Sequence, residues 1–367
     1  MTDKPQRSLD LQVLDAALKS SEESWEWGYT TMTGMEEDER TLRLGVPPRP
    51  ELEGTESAAA ASAQAASGDG VAAPASFDVR SAGGVNYDTA VKDQGSCGSC
   101  VAFGVAGAME VVFRYSRRTT TALDLSEAHL FYVYGRSEGR TCGNGWWPDR
   151  ALPHAQNTGV AFEDMYPYSA GDQDGNSNLN AGWTSRHAKV TGWANITGNA
   201  GLMKERISTY GAVTACLNIY QDFFSYRSGI YRHVSGSLAG GHCVTLIGYD
   251  DAQGCWIARN SWGAGWGDGG YFRIAYGECG IESYQTCSVH GVAVKAWLPN
   301  QTVLGLWSNE YDANMWAYGS QRGWLKLDGG VPATGHGMLS ELAAAKALGT
   351  PVGLFEDNGS VKQIYAW

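Results

Sequence analysis

Hydrophobic positions divide the chain into four stretches of different texture. Over residues 8–44, Leu9, Leu11, Leu14, Ala17 and Leu18 recur at spacings near three and four among acidic neighbours, which predicts a short amphipathic helical module. The run PPRPELEGTESAAAASAQAASGDGVAAPAS follows, without aromatic residues and with Val71 as its only β-branched aliphatic. Such a composition buries too little surface to offset the entropy of ordering it, so it reads as a linker. Aromatic and aliphatic residues return at Phe77 and persist to about Leu298, a span suited to one large domain. Within it, Val101–Phe113 is apolar or glycine apart from Glu110, the pattern of a helix buried nearly all round. After Pro299 a helical pattern near 338–348 (MLSELAAAKAL) precedes two strand-like runs, PVGLFE and VKQIYAW. Asp357-Asn358-Gly359 joins those runs and signals a hairpin, so the chain closes with a small α+β module. Its aromatic residues, Trp307, Trp316, Trp324 and Trp367 among them, read as a small hydrophobic core in preference to a carbohydrate platform. The expected division is 1–54, 55–75, 76–298 and 299–367.

Composition narrows the class. The chain has 367 residues, 43% hydrophobic and 18% charged, which excludes wholesale disorder, and its eight cysteines are too dilute for a small disulfide scaffold. Formal charge is −12, and residues 1–75 carry fourteen Asp/Glu against six Lys/Arg, a net of −8. An acidic chain with no local basic run is a poor match for nucleic acid. The first residues are charged and polar where a secretory signal needs roughly 7 to 15 apolar ones, and no window approaches the ~20 that span a bilayer. No membrane partner is expected. The compartment stays open between cytoplasm and export by another route.

Candidate chemistry centres on VKDQGSCGSCVAFG, residues 91–104. The apolar helix begins just after Cys100, so this thiol sits at a helix N-terminus, where unpaired N–H groups and the dipole favour a thiolate. Cys97-Gly98-Ser99-Cys100 alone is also compatible with a redox pair or half of a zinc site. The flanks weigh against both, since no second close-spaced Cys or Cys/His pair is present and no strand-forming run of thioredoxin type precedes the motif.

QGSCGSCxAF resembles the active-site segment of papain-like (cathepsin-type) cysteine peptidases. GGHCVTLIGYD and CWIARNSWGAGWGDGGYFRI follow in order and resemble the segments that supply that family's histidine and asparagine. His242 lies 142 residues after Cys100 and Asn260 lies 160 after it, against a family window of roughly 130 to 150. The resemblance covers about residues 75–295. It implies an α+β, two-lobed papain-like fold: a helical lobe from about 97 to 170, an antiparallel β-barrel-like lobe from about 185 to 298, and the site between them.

By the same resemblance Cys100 is the nucleophile, His242 its proton partner, Asn260 the group that orients the imidazole, Trp262 its shield and Gln94 a donor to the oxyanion. Gly98, Gly145, Trp146, Trp147, Gly241 and Tyr284 would line the substrate cleft, with Tyr284 as an aromatic floor that selects a medium apolar residue. Cys97 would pair with Cys142, although Gly143 and Asn144 stand in exchanged order in that loop. Cys279 and Cys287 are candidates for a second bridge, while Cys216, Cys243 and Cys255 read as buried thiols. Peptides or proteins are the implied substrates, no metal or organic cofactor is implied, and the N-terminal segment would act as an intramolecular inhibitor removed by cleavage in the linker. An exopeptidase of the same fold, or a binding protein with a vestigial site, are the rival readings.

Overall fold

The computed structural model describes residues 10–48, 73–311, 314–320 and 322–366. The expected linker lies outside these residues except for 73–75. Two apolar cores flank a cleft. One surrounds the helix Cys100–Ser116, on which every residue except Arg114 and Ser116 is buried. The other lies inside a barrel-like set of mainly antiparallel strands, among them Val213–Tyr220, Leu238–Asp250, Cys255–Arg259 and Tyr271–Ala275. The helical and β lobes are those the resemblance implies.

Close contact between the lobes depends on two glycines one turn apart. A Cβ on Gly104 would lie 2.7 Å from Cys243 Sγ, and one on Gly107 would lie 2.4 Å from Arg259 Nη2 and 2.8 Å from Thr245 Oγ1. Small residues at i and i+3 share a helix face, so the helix that starts at Cys100 is pressed onto the strand that carries His242.

The short amphipathic module predicted for residues 8–44 is helical over only part of that span. Helix occurs at Leu11–Ser20, capped by the Asp10 carboxylate on the Gln12 and Val13 amides, and again for one turn at Glu37–Thr41. Between them the β lobe competes successfully for the backbone. Glu26–Trp27 pairs with Tyr226–Ser228, Gly28 N donates to Ser225 O, and Thr30 Oγ1 donates to Phe224 O. Trp25 is buried with its ring 5.2 Å from that of Tyr231, and Met32 is wholly enclosed. Truncating one such buried aromatic typically costs about 3 to 5 kcal/mol, so the segment is firmly seated.

The C-terminal module shares a strand with the β lobe. Gln285–Gln301 pairs at its start with Val213–Tyr220 and His187–Asn195 and at its end with Val352–Asp357, so the expected boundary after 298 falls within one strand. The Asn-Gly hairpin is present, with Asn358 and Gly359 at φ 54° and 82°. The helix Pro332–Leu348 starts earlier than predicted, Pro332 fitting its first turn. One expectation is overturned here. The module's core is aliphatic, built from Leu325, Leu327, Leu342, Val352, Leu354 and Val361, whereas Trp307 and Trp324 are about half exposed. Alternation places them on the strand face opposite the helix. Among the described residues no helix is long and apolar enough to cross a membrane.

Candidate active site

Cys100 is the first residue of its helix, as the apolar pattern predicts, and is completely buried. Cys97 and Cys142 form a disulfide, and Gly98 N donates to Cys142 O at 2.9 Å, which joins the thiol's loop to the 141–147 loop. The exchanged Gly143-Asn144 order has a local use. Asn144 Oδ1 accepts from Thr141 N and its Nδ2 donates to Gly139 O, so the side chain holds the turn while Gly145, at φ 62°, faces the cleft. Cys279 and Cys287 are not joined to each other.

His242 and Asn260 come together from adjacent elements of the β lobe. Nε2 of the imidazole lies 2.8 Å from Asn260 Oδ1, and Oδ1 also accepts from Ser261 N at 2.8 Å. An oxygen facing a backbone N–H fixes the amide's orientation, so Nε2 must carry the hydrogen and Nδ1 keeps the lone pair. The Trp262 ring covers the imidazole at 4.7 Å, and both are fully buried. Gln94 points its amide into the same region. Oε1 accepts from Ser261 Oγ at 2.6 Å, which leaves Nε2 to donate to Cys97 O at 2.8 Å and to Arg43 O at 3.0 Å.

That last contact belongs to a strand of the chain lying across the site. Val46 N donates to Gly241 O at 3.0 Å, Trp146 N donates to Gly45 O at 2.9 Å, Trp147 Nε1 donates to Pro47 O at 2.9 Å, and Tyr284 OH donates to Val46 O at 3.0 Å. Arg43 pairs with Asp93 at 2.6 Å, one residue before Gln94. A Cβ on Gly45 would lie 2.0 Å from Gly98 O, so the segment's backbone rests directly on the loop that leads to Cys100. Val46 is buried in the cluster that holds Trp146, with Trp147 and Tyr284 packed at its edge. Trp146 itself is a floor residue, wholly buried with its indole donating to Glu138, while Trp147 forms the wall.

Burial sets the charge state. Dehydration, followed by the neighbouring Cys243, pushes the Cys100 thiol well up. The His242 imidazole is held down to about 4, again by burial, with the Asn260 hydrogen bond acting in the opposite sense. The thiolate that the helix N-terminus favours is therefore suppressed while the segment covers it.

Of the residues singled out in the sequence, His242 and Asn260 are paired, Gln94 lies beside them through Ser261, and Cys100 begins its helix. Sequence reasoning missed Ser261, which aims the Gln94 amide, and Arg43–Pro47, which lie in the cleft. For these five the readable signal was a glycine between bulky neighbours in Arg43-Leu44-Gly45-Val46, too short to stand out.

A family model described as papain family cysteine protease matches residues 73–289. This chain belongs to that family. Among curated relatives, a cathepsin L-like proteinase of Fasciola hepatica is 35% identical over 219 residues, 58% of this chain and 64% of that protein. A gut-specific cysteine proteinase of Caenorhabditis elegans is 31% identical over 219 residues, covering 53% of this chain and 66% of the relative. The matches thus span just under two thirds of these relatives' own lengths. Among solved structures, procathepsin B S9 from Trypanosoma congolense superposes with a TM-score of 0.62 at 22% identity, covering 76% of this chain and 97% of that one. Digestive procathepsin L2 proteinase from Tenebrio molitor larval midgut gives 0.58 at 25%, covering 76% and 88%. For this papain-family chain those likenesses extend over the fold and match structures of precursors.

The covered state has a pH consequence. An open imidazole titrates near its ordinary value of about 6.5. Below that pH the open form gains a proton that covered His242 does not accept until about 4. Acidification through this window favours the open form by up to roughly tenfold per pH unit, and raising the pH restores the cover. Hydrogen exchange of the Val46 amide, corrected for its intrinsic rate, should be faster at pH 4.5 than at pH 7. Protection that does not change with pH would contradict this.

Proposed function

We propose that the chain is the precursor of a cysteine endopeptidase whose cleft is blocked by residues 43–47. The observation that carries this reading is one extended backbone segment that rests on Gly98 in the loop leading to Cys100, takes the Gln94 amide at Arg43 O, and bonds to Gly241 next to His242, which is itself paired with Asn260. After release of that segment, Cys100 gives its proton to His242 Nδ1 and the sulfur attacks a peptide carbonyl. The oxygen takes up negative charge facing Gln94 Nε2 and the Cys100 N–H. When the intermediate collapses, the C–N bond breaks and His242 returns the proton to the leaving amine, leaving a thioester. Water, deprotonated by the same imidazole, then attacks the thioester carbonyl, and its C–S bond breaks to free the acid and the thiol.

Two features favour cutting within chains. The covering segment runs on in both directions from Gly45, which rests on Gly98, with Arg43 held by Asp93 and Pro47 by Trp147, so the cleft has room for backbone beyond a chain terminus. Val46 lies beside the Tyr284 floor and the Trp147 wall, an apolar side chain of medium size in the place the resemblance gives to the residue upstream of the cut. An end-blocked, internally quenched peptide library tests both points. Val or Leu two residues before the scissile bond should be preferred over Arg or Lys by at least about tenfold. Cleavage confined to peptides with a free terminus would replace the endopeptidase reading by the exopeptidase one, and a basic preference would remove the pocket assignment.

A further inference from the structure

The exposed tryptophan face of the C-terminal module adjoins a groove that the peptidase reading does not use. About 910 Å³ in volume, it lies between that module and the catalytic unit. Arg117, Arg118, Lys189 and Arg322 line it together with Tyr318 and Trp324, in a chain that is otherwise acidic. Arg117 and Arg118 directly follow the end of the helix that Cys100 begins, so at 1.5 Å per residue the groove is about 25 Å from the thiol.

Its positive charge is incompletely neutralised. Arg322 is 3% exposed, and its Nε lies 3.4 Å from Glu356 Oε2, while Arg117 Nη1 lies 3.4 Å from Glu356 Oε1. Both separations exceed the 2.7 to 2.9 Å, roughly, of a charge-assisted hydrogen bond. Arg322 Nη1 and Nε are buried without a hydrogen-bond partner. Two guanidinium groups thus share one carboxylate, which makes no hydrogen bond, and Arg118 and Lys189 add further positive charge at the rim. Two cations sharing one buried carboxylate leave an excess positive charge, which a further carboxylate reaching the more accessible Arg117 would offset.

Beside this cationic end, Tyr318 and Trp324 stand 5.4 Å apart, edge to face, and are 37% and 48% exposed. The Trp324 edge covers Gly305, where a Cβ would lie 3.3 Å from Cη2, which explains a ring at this position but leaves much of it in solvent. A ring face carries negative charge density that attracts polarised C–H groups. Flat apolar faces edged by hydroxyls and bearing carboxylates are the features of an acidic saccharide. An acidic peptide would instead use a recess for aliphatic side chains, and the groove offers only Val190, Val292 and Ala293 as aliphatic lining.

We propose that this groove binds a uronic-acid saccharide chain, with its carboxylate on Arg117 in the field of Arg322, Arg118 and Lys189, and a sugar face on Trp324. The site would hold the enzyme on an anionic glycan without touching the catalytic cleft. Calorimetric titration of the full chain at low salt with oligogalacturonate, neutral maltohexaose and polyglutamate of similar length tests it. Oligogalacturonate should bind, binding should weaken with added salt, and the other two should be at least tenfold weaker. Trp324→Ala and, separately, Lys189→Glu should each weaken oligogalacturonate at least tenfold, with hydrolysis of a short peptide by the cleaved enzyme unchanged. The two substitutions lie on different structural units, so misfolding of one leaves the other informative. Absence of oligogalacturonate binding, equal binding of polyglutamate, or affinity indifferent to both substitutions would overturn the proposal. None of these outcomes bears on the peptidase reading, whose readout is cleavage.

Discussion

Cys100→Ala, placed in the chain after cleavage has freed the cleft, is expected to lower kcat/KM for a blocked peptide by roughly 10⁴ to 10⁶-fold. In the proposed mechanism the sulfur is the atom that bonds to the substrate, and a methyl group cannot replace it. His242→Ala should cost a similar factor, because Nδ1 both accepts the thiol proton and delivers it to the leaving amine. Adding the two substitutions should cost little more than either alone, since a nucleophile without its base and a base without its nucleophile are equally idle. Asn260→Ala should be milder, because the imidazole keeps its lone pair and loses only the Oδ1 contact at 2.8 Å. Steady-state kinetics on the four variants check this order. A Cys100→Ala enzyme within tenfold of the parent would place the chemistry elsewhere.

Gly45→Val should have the largest effect on the uncleaved chain. A Cβ at Gly45 would lie 2.0 Å from Gly98 O and 2.4 Å from Gly98 C, and one at Gly145 would lie 2.1 Å from Gly45 O. Three glycines are therefore stacked backbone against backbone at the thiol, and no side-chain rotation relieves a collision with backbone. Overpacking of this kind costs about 1 to 3 kcal/mol or more, roughly 5- to 150-fold in the open fraction. The seat formed by Trp25 and Met32 is distant enough to remain, so the rest of the segment should stay bound. Uncleaved Gly45→Val should accordingly hydrolyse a small peptide, and react with iodoacetamide at Cys100, about 10 to 100 times faster than the parent. Unchanged rates in both assays would mean that residues 43–47 do not control access.

The groups proposed as catalytic stand out in the sequence because each sits in a contiguous motif whose neighbours have fixed local jobs. Gly104 and Gly107 press the Cys100 helix onto the histidine strand, and Ser261 follows Asn260 directly, so short stretches of sequence carried most of the geometry. The covering strand was not legible. Its position depends on backbone pairing with Gly241 and Trp146, residues roughly 200 and 100 positions away, and backbone pairing leaves little trace in side-chain pattern. The same limit explains the broken N-terminal helix, where the edge at Tyr226–Ser228 claimed residues whose spacing was also compatible with helix. For the C-terminal tryptophans, composition suggested a core, but alternation along the strands sent the aliphatic residues inward and the rings outward.

The most direct measurement follows hydrolysis of one end-blocked fluorogenic peptide by a single preparation, before and after a cut between residues 49 and 72, with Cys100→Ala alongside. A blocked cysteine endopeptidase should be nearly silent when intact, rise by at least about 100-fold once cut and released, and stay silent in both states without the thiol. Equal rates before and after the cut, or hydrolysis that survives the loss of Cys100, would contradict it.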